Sequence, residues 1–134
     1  MSEKKARYLI VQYDKERKLR YTVNAFTDYE IASGRGIAEI LANPLAMTSF
    51  KEIRSLLWAG FKWQTEGKTR EFPDDPILSL QETGEIMNQL LIDGKKLEDM
   101  IYDIKDALNL SGLVSAEIET PDAVDGKPAK KKKQ

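Results

Sequence analysis

No cysteine and no histidine occur anywhere in the chain. The first absence excludes a disulfide scaffold and any cysteine metal site. The second removes the commonest general base, the commonest metal ligand and every nucleophile pair that relies on imidazole. What survives is chemistry built on carboxylates alone, and its best candidate is Asp74 with Asp75 in "FPDDP". Adjacent carboxylates between two prolines read first as a turn, because Asp and Pro both favour turn geometry. The expectation is a protein that is not an enzyme and that uses neither a cofactor nor a metal. Long apolar runs are missing too: no window approaches the ~20 residues of a membrane-spanning helix. The N-terminal "MSEKKARYLIVQYD" starts with charge and lacks the apolar region and small-residue cleavage site of a secretory signal. An excess of positive charge is also absent. The net charge of -1 argues against a fold-wide basic footprint for nucleic acid. A cytoplasmic site of action, away from membranes, follows as the expectation.

What is present is the composition of one globular domain: 134 residues, 41% apolar, 32% charged and 8% aromatic. The fold class expected is α+β, a mostly α-helical single domain over residues 1–110 with an N-terminal β-hairpin, followed by a disordered tail at 111–134. "YLIVQY" (8–13) and "LRYTV" (19–23) are β-rich runs separated by "DKERK". In the second run Leu19, Tyr21 and Val23 share one face. Asn24 is placed to cap a short helix, "AFTDYEIAS", with Phe26, Tyr29 and Ile31 as its apolar residues and Gly34 ending it. "IAEILAN" adds a turn or two of helix before Asn43-Pro44.

The most informative stretch is "SFKEIRSLLWAGFKWQTEG", Ser49 to Gly67. Ser49 and Glu52 have capping-box spacing, and Gly67 marks an end. At about 100° per residue, Phe50, Ile53, Leu57, Gly60 and Phe61 fall on one face and read as core. Trp58 and Trp63 lie on opposite flanks, so the helix is apolar around most of its circumference. Such a helix is either enclosed by neighbours or keeps a flank for a partner, since exposed aromatic area commonly marks interaction surfaces. Arg54 lies one turn before Trp58 and is placed to stack on it. Beyond the loop "KTREFPDDPIL", Ser79 and Glu82 form a second capping box. The apolar face then rotates across Gly94, predicting two helices rather than one rod. Glu98, Asp99, Tyr102 and Asp103 read as solvated surface. From Ser111 onward large apolar residues become scarce, and the chain ends in Lys130–Lys133.

In this order of elements the chain resembles the tail assembly chaperones of long-tailed bacteriophages and related gene transfer agents. The resemblance is carried by "RYTVNAFTDYEIASGRGIAEIL", "SFKEIRSLLWAGFKWQ" and "SLQETGEIMNQLL", and spans roughly residues 19 to 108. It implies a non-enzymatic chaperone in the host cytoplasm that binds the tape measure protein, the long helical chain that sets tail length, and is absent from the mature virion. It further implies a frameshifted longer form that recruits the tail tube protein, with Lys130–Lys133 where the ribosome would slip, and self-association. Arg54, Trp58, Phe61 and Trp63 are the residues expected to meet the partner. Three other classes compete with this reading. One is a virion structural or head–tail component. Another is a small nucleic-acid-associated regulator using the lysine tail with Lys4, Lys5 and Arg7. The last is a metal-dependent enzyme built on carboxylates.

Overall fold

A computed structural model describes residues 7–47 and 49–113 of the chain. The expected α+β architecture is present: a two-stranded antiparallel sheet followed by a mostly helical body. Strands β1 (Tyr8–Gln12) and β2 (Glu16–Arg20) pair with Tyr8 opposite Arg20 and Gln12 opposite Glu16. The hairpin connection is therefore shorter than the sequence reading had it. Glu16, Arg17 and Lys18 of "DKERK" belong to the strand, and Tyr13–Lys15 alone make the turn. The cause is Arg17, which points inward yet is charge-paired: its Nε and Nη2 donate to the Asp14 carboxylate at 2.6 and 2.8 Å, while its buried Nη1 has no acceptor among the described residues. Periodicity passes over a charged residue at an inward position, but a bidentate guanidinium–carboxylate pair makes it tolerable. Leu9, Val11 and Leu19 fill the rest of the inner face, with Leu19 fully enclosed.

Helix α1 (Val23–Ser33) starts two residues earlier than predicted. Thr22, not Asn24, is its cap: Thr22 has extended backbone, and its hydroxyl accepts from Ala25 N–H at 3.2 Å. A capping residue must be non-helical, and Asn24 already lies in the first turn. Val23 consequently leaves the strand pattern and sits exposed, as does Ile31. Gly34 ends the helix as expected, at φ 75°, where a side chain would be strained. Helix α2 (Ala38–Ala42) and a single turn of 3-10 helix opened by Pro44 lead to the central element.

Helix α3 (Phe50–Phe61) packs against the hairpin and α1, and against two further helices, α4 (Leu80–Ile92) and α5 (Leu97–Leu110). Ile53, Leu56, Leu57 and Phe61 are all completely buried, so α3 is an enclosed core helix. Ser49 Oγ caps it through Glu52 N–H at 3.0 Å, but the reciprocal half of the capping box is missing. The Glu52 carboxylate instead accepts from Arg35 Nη1 at 2.8 Å. The helix stops at Phe61, and Lys62–Thr65 continue as 3-10 helix well before Gly67. Buried Gln64 ties this segment to the hairpin and the following loop, accepting from Lys18 N–H at 3.0 Å and donating to Glu71 at 3.1 Å. "FPDDP" is a turn, closed by Asp75 N–H to Phe72 C=O at 3.1 Å, with Asp75 paired to Lys15.

The predicted break at Gly94 is present, at φ 104° between α4 and α5. Ser79 and Glu82 form both halves of the expected capping box. Asp103, read from the sequence as solvated surface, is instead half-buried and accepts from the Tyr13 hydroxyl at 2.7 Å, joining α5 to the hairpin turn. Ser111 is buried at the end of α5, its hydroxyl donating to Leu108 C=O at 2.7 Å. The expected tail and its Lys130–Lys133 run lie outside the described residues. Among the described residues no helix is long and apolar enough to cross a membrane.

Candidate partner surface

The four residues predicted to meet a partner do not converge on one surface. Phe61 is corrected outright: it has no exposed area and packs edge-on against Tyr13, ring centroids 5.4 Å apart. A side chain in that position cannot contact a partner without unfolding the core. Trp58 is half-buried, and its indole Nε1–H donates to Leu78 C=O at 2.8 Å, clamping the segment that leads into α4. The cation over its ring is Lys62, at 4.8 Å, rather than Arg54. Trp63 is also half-buried and donates to Lys18 C=O at 3.1 Å, with Arg20 4.1 Å above its ring and Tyr8 tilted beside it. Both tryptophans thus act as brackets, each closing a different seam around α3. Their indole N–H groups have found backbone acceptors, as buried indoles usually do.

Arg54 leads elsewhere. It lies in a groove between the N-terminal half of α3 and α4, an open cavity of about 380 Å³. Met87 and Leu91 from α4 line its apolar floor, and Phe50 from α3 stands at its edge. Phe50 is 62% exposed whereas Met87 is 4% exposed, so the apolar surface runs from solvent into the core. The sequence reading placed Phe50 in the core with Ile53 and Leu57, and that is corrected here. The angular position was right, but Phe50 is the first residue of α3. A helical side chain leans back over the preceding turn, and at the first residue α3 itself supplies no such turn.

Gly84 forms the opposing wall. A Cβ there would stand 3.3 Å from Arg54 Cδ, so the glycine lets the arginine stem lie close against α4. Among the described residues no carboxylate lines the groove. Arg54 Nε is buried without an acceptor among the described residues, and neither Arg54 nor Lys51 is in an ion pair there. Phe50, Met87 and Leu91 were legible as apolar positions of two amphipathic helices. That the two stripes leave an open groove between them was not.

Electrostatics elsewhere are structural. Burial raises the Asp103 carboxyl above its ordinary value, outweighing the Tyr13 hydrogen bond and the Lys95 charge that oppose the shift. Burial likewise pushes the Tyr13 phenol far up, and the neighbouring Asp103 charge and hydrogen bond add to it. Desolvation would raise the Asp14 carboxyl as well, but hydrogen bonds and charge from Arg17 hold it below the usual carboxylate range. Among the described residues, no group of three or more acidic side chains is gathered where it could hold a metal ion. No protein-family model matches the chain, and neither the curated proteins nor the solved structures give a match.

Proposed function

We propose that this protein is a tail assembly chaperone that holds the tape measure protein soluble until tube subunits replace it, and that the α3–α4 groove is the contact. The observation that carries the reading is the graded apolar surface from exposed Phe50 to buried Met87 between two helices. A groove of this form accepts the apolar stripe of an amphipathic helix, one of the standard modes of peptide recognition. The affinity it offers is suited to displacement. Two or three apolar side chains contribute about 1.5–3 kcal/mol each on burial, and association costs reclaim several kcal/mol of that sum. A single contact is therefore weak, and coverage of a long helical client relies on many copies. The resemblance in the α1 and α3 segments points the same way. The proposal carries with it a cytoplasmic site of action and a longer frameshifted form that recruits the tube protein.

The test is co-expression with the long helical protein encoded immediately downstream, scoring its solubility and its co-purification with this chain. A soluble complex that is lost when the chain is omitted supports the proposal. A client that stays insoluble, or is soluble unaided and never co-purifies, sinks it. Phe50→Ser separates the groove from the fold: it is expected to cost under about 0.5 kcal/mol of stability, as an exposed substitution, while abolishing co-purification. Stoichiometric recovery of the chain from purified virions would make it a structural component instead.

A further inference from the structure

We infer that the helix received by the α3–α4 groove is acidic as well as apolar, presenting a carboxylate to Arg54 and Lys51 one turn away from the side chain it buries. The inference rests on the groove being the binding surface, and it adds the chemistry of the partner.

The argument is one of charge left over. Half of the described cations are matched at short range: Lys15 with Asp75, Arg17 with Asp14, Lys18 with Glu71, Arg35 with Glu52, Lys62 with Asp28, Lys95 with Asp103 and Lys105 with Asp106. Lys51 and Arg54 share one turn of α3 at the groove and have no such partner among the described residues. Arg54 is also the better placed of the two. Its stem is held against Gly84, and its Nε is desolvated with no acceptor within reach. A buried donor left unsatisfied carries the full cost of desolvation, and a guanidinium offers a planar fork that a carboxylate fits in two contacts. The outer Nη groups of Arg54 are not enclosed and have no partner among the described residues, so an incoming Glu or Asp would pair with them, whereas a neutral helix would desolvate them without replacement. Opposite Arg54 the groove shows Met87 and Leu91. On a helix, residues three and four apart share a face, so an apolar residue followed by an acidic one at that spacing meets both features together.

The probe is a fluorescein-labelled 20-residue helical peptide with Leu on one face and Glu at the flanking positions, titrated with the full-length chain. A matched peptide carries Gln for Glu. The Glu peptide is expected to bind about fivefold or more tightly than the Gln peptide, and the advantage to shrink as salt rises. Arg54→Gln and, on the exposed surface, Lys51→Glu are each expected to reduce that advantage, while Phe50→Ser weakens both peptides. Equal affinity for the two peptides, no binding of either, or an advantage untouched by both charge variants overturns the inference. The chain's own segment 114–125 also carries acidic and apolar residues, including Glu117, Ile118 and Glu119. If E117Q/E119Q in the full chain bound the Glu peptide tenfold more tightly than the parent, that segment would be the resident occupant and the external partner is refuted. The two readings fail separately. A Glu-selective groove with a client that stays insoluble retires the chaperone proposal alone, and a solubilised client with no Glu preference retires this one.

Discussion

Gly60 sits where α3 crosses the hairpin, and replacing it with alanine is a severe test of how the core is described. A Cβ at this position would fall 2.5 Å from Leu19 Cδ1 and 3.0 Å from Tyr21 Cζ. Neither neighbour is free to retreat. Leu19 is completely buried, and the Tyr21 ring is tethered by its hydroxyl, which donates to Leu56 C=O at 2.8 Å. Forcing a methyl into a filled core costs about 1–3 kcal/mol, occasionally more, and a gap this short belongs at the upper end. Alanine returns about 1 kcal/mol of helix propensity, leaving a net loss near 2 kcal/mol. For a body of this size that is a fall of roughly 8–15 °C in Tm. Urea unfolding followed by tryptophan fluorescence measures it, since Trp58 and Trp63 both bracket α3. A double-mutant cycle isolates the cause. Leu19→Ala removes the atom that clashes, so adding Gly60→Ala to that background should cost little or stabilise. If Gly60→Ala is as stable as the parent, or costs the same with and without Leu19, then α3 and β2 do not approach as closely as described.

Trp58→Phe retains the ring but removes the donor to Leu78 C=O, and is expected to cost about 1–2 kcal/mol by chemical denaturation; an unchanged midpoint would mean the clamp contributes nothing. Asp14→Asn leaves the buried Arg17 guanidinium without a counter-charge and should cost about 1–2 kcal/mol near neutral pH, less than for a wholly enclosed pair because Asp14 is partly exposed. Because the folded state holds the Asp14 carboxyl below its ordinary value, its contribution is present above the unfolded pKa and is lost as pH falls through the folded one. The gap between parent and variant should therefore close below about pH 4. Asp103→Asn runs the other way. Its carboxyl is raised by burial, so the native state binds the proton more tightly and the parent loses stability as pH rises through the folded value. Parallel urea titrations at pH 4 and pH 7 should find Asp103→Asn gaining on the parent at the higher pH, and a constant difference would refute the assignment.

Much of this fold was legible because it is encoded locally. The Gly34 stop, the Ser79–Glu82 box and the Gly94 break each depend on residues within a few positions, and each stands where it was read. Misreadings came where a distant residue decided the outcome. Arg17 is the local exception, entering the hairpin because Asp14, three residues earlier, meets it. Asp103 left the solvent because Tyr13, 90 residues earlier, reaches it. Glu52 abandoned its capping role because Arg35 offers a charged partner. The tryptophans were recognised as unusual for a core stripe, but periodicity could not say that Leu78 and Lys18 carbonyls would take their N–H groups.

By itself, then, the sequence determined the element order and which face of each helix is apolar, because 3.6-residue periodicity, caps and glycine stops act over a single turn or two. It also ruled out histidine and cysteine chemistry by simple absence. Only the tertiary structure decided which apolar residues were left over. Whether Phe50 or Phe61 faces solvent depends on how far neighbouring helices extend, not on the residue, and the groove exists because the side chains of α3 and α4 leave an open space beside the close approach of Gly84 and Arg54.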